Sequence, residues 1–98
     1  MSSPGSRSAH PVYAISVAAE LTGSGVQSLR LYERIGLVEP ARTPGGTRRY
    51  SDADIERLQQ IIELLAEGIN LAGIGRILEL EHENSQLRAR LADSDRRS

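Results

Sequence analysis

The chain has 98 residues, of which 39% are hydrophobic, 26% charged and 3% aromatic, with a formal net charge of −1. That is the make-up of one small globular domain, neither collagen-like nor polar enough to stay unfolded. Cysteine is absent, which excludes a disulfide framework, a thiolate metal site and a cysteine nucleophile together.

Residues 1–11, rich in Ser, Pro and Gly, read as a flexible N-terminal arm without the apolar middle of a signal peptide. Ser16 then offers an N-cap for a short helix holding Val17, Ala18 and Leu21. The run Thr22-Gly23-Ser24-Gly25 breaks it, because two glycines within four residues permit positive φ. A second helix follows from Val26 to Arg34 and stops near Gly36, with Val26, Leu29 and Tyr32 at helical spacing. Two short helices about a tight glycine turn outline a helix-turn-helix. Between residues 37 and 50, Pro40, Pro44 and Gly45-Gly46 exclude a helix, while Val38 and Tyr50 favour extended chain. A Gly-Gly tip flanked by Arg42-Thr43 and by Thr47-Arg48-Arg49-Tyr50 reads as a β-hairpin. A basic hairpin beside a helix-turn-helix is a wing.

Ser51 and Asp54 form a capping-box start for a long helix whose Ile55, Leu58, Ile62, Leu65 and Ile69 make one buried stripe. Gly68 is expected to end it and Asn70 to cap the next helix, which carries Leu71, Ile74, Ile77 and Leu78. Gly73 and Gly75 cost about 1 kcal/mol each against Ala in a helix, so close packing against a neighbouring backbone is expected there. Ile77, Leu80, Asn84, Leu87 and Leu91 then alternate by three and four, a heptad seam with a register-setting Asn. About two heptads are too short to stand as a lone helix, so a second copy of the same segment is the simplest cover. With no Phe, no Trp and one Met, the core rests on Leu, Ile, Val and Ala, and a partner subunit would help complete it. The predicted organisation is an arm over 1–11, a winged domain over 12–76, a dimerisation helix over 77–92 and a frayed tail over 93–98. The fold class is mainly α with a small β-hairpin wing, a winged helix-turn-helix plus a C-terminal dimerisation helix.

The near-zero net charge hides an asymmetry. Residues 1–50 carry six Arg against three Glu, and residues 51–98 carry six Arg against ten Asp or Glu. All twelve basic residues are Arg. An Arg-favouring genome accounts for that bias; so does a surface for phosphate and guanine, which the planar guanidinium fork suits. No apolar run approaches the about 20 residues of a membrane span, and a cytoplasmic, nucleoid-associated protein is expected. Neither His10 nor His82 stands beside a nucleophile, the glutamates at 79, 81 and 83 point in different directions on a helix, and no phosphate loop or dinucleotide fingerprint occurs. No enzymatic activity, cofactor or metal is therefore expected.

From Tyr13 to Leu91 the chain resembles the MerR family of winged-helix transcription regulators. The resemblance rests on Thr22-Gly23, Leu29-Arg30-x-Tyr32-Glu33, Ile35-Gly36-Leu37-Val38, Arg42-Thr43, Gly46-x-Arg48-x-Tyr50 and Asp54-x-x-Arg57-Leu58, in this order and spacing. Within the family it is most similar to the HspR-type heat-shock repressors, through Ile15-Ser16-Val17-Ala18-Ala19-Glu20-Leu21, Gly45-Gly46-x-Arg48-Arg49-Tyr50-Ser51 and Glu67-Gly68-Ile69-Asn70-Leu71-Ala72-Gly73-Ile74. It departs from the family at Ser24-Gly25, where an apolar residue and a small polar cap are usual, so the resemblance alone does not locate the start of the second helix.

The resemblance implies antiparallel pairing of the C-terminal helices and dimeric recognition of an inverted-repeat operator. It also implies repression of chaperone and stress genes, with the DnaK chaperone or RNA polymerase as a further partner. Arg30 is the leading candidate for a base or phosphate contact, against a surface salt bridge to Glu33 or Glu20. Gln27 suits adenine but equally suits solvent, and Tyr32 suits either a phosphate or the core. In the wing, Arg42, Thr43, Arg48 and Arg49 are candidate phosphate contacts, while Tyr50 is expected to pack the hairpin onto the helices. Two alternatives stay open: a small MerR-like or excisionase-like DNA-binding factor without a stress role, and a protein-interaction adaptor whose coiled coil is its working surface.

Overall fold

The computed structural model describes residues 10–97. Its elements run β1 (Pro11–Tyr13), α1 (Ile15–Thr22), α2 (Val26–Arg34), β2 (Ala41–Arg42), β3 (Arg48–Ser51), α3 (Asp52–Ala66) and α4 (Leu71–Arg97). The chain divides into two compact units, one up to Glu63 and one from Leu64 onward. No helix among the described residues is long and apolar enough to cross a membrane.

In the first unit, β3 is the middle of a three-stranded antiparallel sheet, with β1 and β2 on either side. The strand β1 is a departure from expectation. Most of the expected arm, residues 1–9, lies outside the described residues, but Pro11 pairs with Ser51 and Tyr13 with Tyr50. Proline is tolerated there because β1 is an edge. The Tyr13 hydroxyl donates to Asp52 Oδ1 at 2.7 Å, tying this edge to the start of α3.

Helix α1 starts earlier than Ser16. Ala14 is its N-cap, in extended conformation, and Ala18 N–H donates to Ala14 O at 2.9 Å. The helix therefore leaves β1 almost at once, and its buried face is Ala18 and Ala19, while Val17 and Leu21 are exposed. Helix α2 begins at Val26 with Gly25 as N-cap and no side-chain cap bond. It buries Leu29 and Tyr32 and closes with a paired C-terminal motif: Leu37 N–H donates to Tyr32 O, and Gly36 N–H to Glu33 O. Gly36 has φ +84°, which the motif needs and a side chain would resist.

Ser51 and Asp54 close the predicted capping box reciprocally. Asp54 N–H donates to Ser51 Oγ at 3.0 Å, and Ser51 N–H to Asp54 Oδ2 at 2.9 Å. The stripe of α3 buries Ile55, Leu58 and Ile61 rather than Ile62, and the helix stops at Ala66, short of Ile69. With Leu29, Leu37, Val38 and Tyr50 these residues make the core. Each fully buried Leu or Ile contributes about 1.5–3 kcal/mol.

In the second unit, Gly68 N–H donates to Leu65 O and Ile69 N–H to Leu64 O, the same terminating pair as at Gly36. Asn70 caps α4 as expected, its Oδ1 accepting from Gly73 N–H at 2.8 Å. The crowding at Gly73 differs from expectation. A Cβ there would meet Ile69 Cγ2 at 3.1 Å and Asn70 Oδ1 at 3.4 Å, so its nearest neighbours are side chains of the adjoining turn and not another backbone. Helix α4 runs unbroken past residue 76 and past Leu91 to Arg97, so the winged-domain and dimerisation segments expected to meet at 76/77 share one helix, and residues 93–97 of the expected tail are helical; Ser98 lies outside the described residues. Ile74 and Leu78 are buried and residues 79–96 are exposed throughout.

Candidate nucleic-acid interface

Helix α2 presents Gln27, Arg30 and Arg34 at i, i+3 and i+7, which places them on one face, and all three are exposed. The buried side of the same helix is Leu29 and Tyr32. At 6% exposure the Tyr32 ring belongs to the core, which leaves only its hydroxyl end for any outside contact.

The wing is a tight four-residue turn over residues 43–46. Gly46 N–H donates to Thr43 O at 2.8 Å, and Thr43 N–H to Thr47 O at 2.8 Å. Gly46 has φ +86°, a turn conformation that glycine supplies without strain. The Thr43 hydroxyl, a candidate phosphate contact, accepts from Thr47 N–H at 3.1 Å and so is spent in part on the turn itself. Successive strand residues face opposite ways, so Arg48 and Arg49 cannot serve one surface. Arg48 turns toward α2, and Arg49 Nη1 donates back to Arg48 O at 3.2 Å. Tyr50, fully buried, anchors β3 in the core as expected; its hydroxyl has no hydrogen-bond partner among the described residues, and burial raises the pKa of that hydroxyl above its ordinary value.

Glu33 joins α2 to the wing. Its Oε1 accepts from Arg48 Nε, and its Oε2 accepts from Arg42 Nη2 at 2.8 Å. Arg42 Nη1 also donates to Gly46 O at 3.0 Å. Partial burial pushes the Glu33 carboxyl up, but the Arg48 hydrogen bond and the charges of Arg48 and Arg42 outweigh it and hold the group below its ordinary value. The alternative for Arg30, a bridge to Glu33 or Glu20, does not form; the Glu33 carboxylate is taken by the wing, and Arg30 makes no ion pair among the described residues.

Arg30, Glu33, Arg34, Arg42 and Arg48 line one open cleft of about 400 Å³. Four guanidiniums around one carboxylate leave a cationic surface suited to phosphate oxygens. The structure thus brings Arg30, Arg42 and Arg48 together and sets Gln27 on the adjoining turn of the same face, while Arg49 and Tyr32 lie apart from the cleft. Arg34 was not singled out from the sequence, although its place seven residues after Gln27 was available as a signal. On α4 the seam residues Leu80, Leu87 and Leu91 are 46%, 55% and 67% exposed, Asn84 is exposed between them, and Ile77 is half-buried.

Comparison with known proteins bears on these two surfaces. The model of the MerR HTH family regulatory proteins matches residues 13–81. The heat shock protein HspR of Streptomyces coelicolor is 58% identical over 84 residues, 85% of this chain and 56% of that protein, so the chain spans little more than half of this relative's length. The transcriptional regulator GlnR of Bacillus anthracis is 34% identical over 82% of the chain and 62% of its own length. Among solved structures, MtaN, the N-terminus of the Bacillus subtilis multidrug transporter activator, is 31% identical and superposes with a TM-score of 0.64 over 87% of this chain and 95% of that one. HiNmlR, a regulator lacking the sensor domain and solved bound to promoter DNA, is 26% identical with a TM-score of 0.65, over 86% of this chain and 76% of that one.

Proposed function

The chain belongs to the MerR family of helix-turn-helix regulatory proteins, and from that membership we propose that it is a homodimeric, sequence-specific DNA-binding transcription regulator of HspR type. The observation that carries the reading is the exposed face of Gln27, Arg30 and Arg34 set beside the wing arginines in one cationic cleft. In this reading α2 enters a major groove, where Arg30 donates two parallel bonds to guanine or straddles a phosphate, and the wing lies along the flanking backbone. HiNmlR, with a similar fold, is solved bound to promoter DNA, which supports DNA as the partner in this reading.

A second copy of the chain is the proposed cover for Ile77, Leu80, Asn84, Leu87 and Leu91, in antiparallel pairing. Three exposed leucines on a solvated helix support it, since apolar area of this kind is stabilised by burial in a coiled-coil seam. Similarity to a heat shock protein supports a stress role; from the resemblance we further propose a repressor of stress genes acting in the cytoplasm at the nucleoid, with DnaK or RNA polymerase as the further partner, checked by co-purification from heat-shocked and unshocked cells.

The test is a gel-shift titration against salt with DNA from the promoter region of its own gene. A dimer neutralising about 6–10 phosphates loses about 10³–10⁵ in affinity between about 50 and 200 mM salt. Absence of any salt-dependent shift overturns the reading and favours an adaptor that works through α4.

A further inference from the structure

The cleft between α2 and the wing contains its own anion. Both oxygens of Glu33 are engaged, Oε1 by Arg48 Nε and Oε2 by Arg42 Nη2, and the Arg42 fork is completed by Gly46 O. Carboxylate and phosphate oxygens seek the same guanidinium edges. Glu33 therefore sits where a phosphate would sit, with a side chain only 19% exposed. Arg48 uses only Nε on Glu33, which leaves both of its Nη groups open while the clasp is intact. Arg30 and Arg34, on the same cleft, have no such counter-ion among the described residues.

We propose that Glu33 is a specificity-determining residue, an internal carboxylate that denies the wing arginines to DNA phosphates except when α2 is seated on its operator. This deepens the DNA-binding reading and rests on it. On a seated operator the wing lies in register, so phosphates meet the Nη groups of Arg48 that Glu33 leaves unengaged, and the clasp stays closed. On random sequence the wing has no register, and a phosphate reaches Arg42 or the Nε edge of Arg48 only by displacing Glu33 or lying against its charge. The penalty falls on random DNA alone. Glu33 so widens the gap between specific and non-specific binding without touching a base.

The experiment compares the unaltered chain with Glu33→Gln on two duplexes, an operator selected in vitro from a random pool and a mixed-sequence control, by fluorescence anisotropy across a salt series. Removing one charge about 4 Å from a phosphate in a water-exposed cleft is worth about fivefold. The variant should bind the control duplex about fivefold more tightly by that measure, with no gain on the operator. Its salt slope on the control should steepen by about 1–2, one step of about 0.9 for each added phosphate contact. Equal weakening on both duplexes, or an unchanged ratio, overturns the proposal and leaves Glu33 as a structural clasp. Should Glu33→Gln fail to fold by circular dichroism, Glu33→Asp keeps the charge but is too short to span both arginines. It should shift the control duplex in the same direction by a smaller factor, and no shift there overturns the proposal. If the unaltered chain binds neither duplex, the DNA-binding reading itself falls.

Discussion

Arg30 and Arg48 line the same cleft, but their surroundings assign them different tasks. Arg30 stands exposed on α2 without an ion pair among the described residues, whereas Arg48 is held by Glu33. Arg30→Ala should cost about 1–3 kcal/mol of operator affinity and relax sequence preference, while Arg48→Ala, which removes a phosphate contact that the clasp reserves for the seated operator, should lower the operator's salt slope by about 1 and leave the mixed-sequence control little changed. Binding measured on operator and control duplexes separates the two, and equal behaviour would contradict the division. Glu33 also carries a pH signature. Its pKa is held below the unfolded value, so its stabilisation is present above that unfolded value and is lost as pH falls through the lower folded one. Thermal melts over the acid range should show this loss in the unaltered chain and not in Glu33→Gln. Tyr50 supplies the opposite case, a buried hydroxyl with no partner among the described residues. Tyr50→Phe removes a polar group that costs more desolvated than hydrated, and urea unfolding should register a gain of about 1 kcal/mol. The Glu33 clasp was hidden in the sequence because its partners lie 9 and 15 residues away, across a turn whose geometry sequence spacing does not specify.

At the scale of elements, what was legible was what is local. The Ser51 and Asp54 box, the Asn70 cap and the termination at Gly68 each depend on residues within one or two turns, and the structure forms all three. Ser51→Ala should therefore destabilise the first unit by about 1 kcal/mol, within about 0.5–2 for such caps, in a denaturant titration. The three-residue strand β1 was illegible because so short a segment has no period, and it exists only through its pairing with β3. The same holds for the choice of Ile61 over Ile62. Adjacent isoleucines fit a helical stripe equally well, and tertiary packing decides between them.

For the whole molecule, the long exposed reach of α4 is the dominant fact. A 27-residue helix is about 40 Å long, and its stretch over residues 79–96 is exposed throughout. Helices in water draw most of their stability from packing an apolar face. The heptad announced that face in the sequence, but a single chain carries no record of what covers it. With a second copy as the cover, the melting temperature should rise with protein concentration. Leu87→Asp, which places a charge at the seam, should give a monomer by sedimentation and forfeit cooperative binding to the two halves of an operator. A monomer in the unaltered chain at micromolar concentration would contradict the pairing.

Ser51 ends β3 and Asp52 begins α3, with nothing between them. The central strand and the helix are consequently one continuous strut, stiffened at the joint by the reciprocal bonds of Ser51 and Asp54. If the wing takes up a duplex backbone as proposed, no loop residue lies between the gripping strand and α3 to absorb the load.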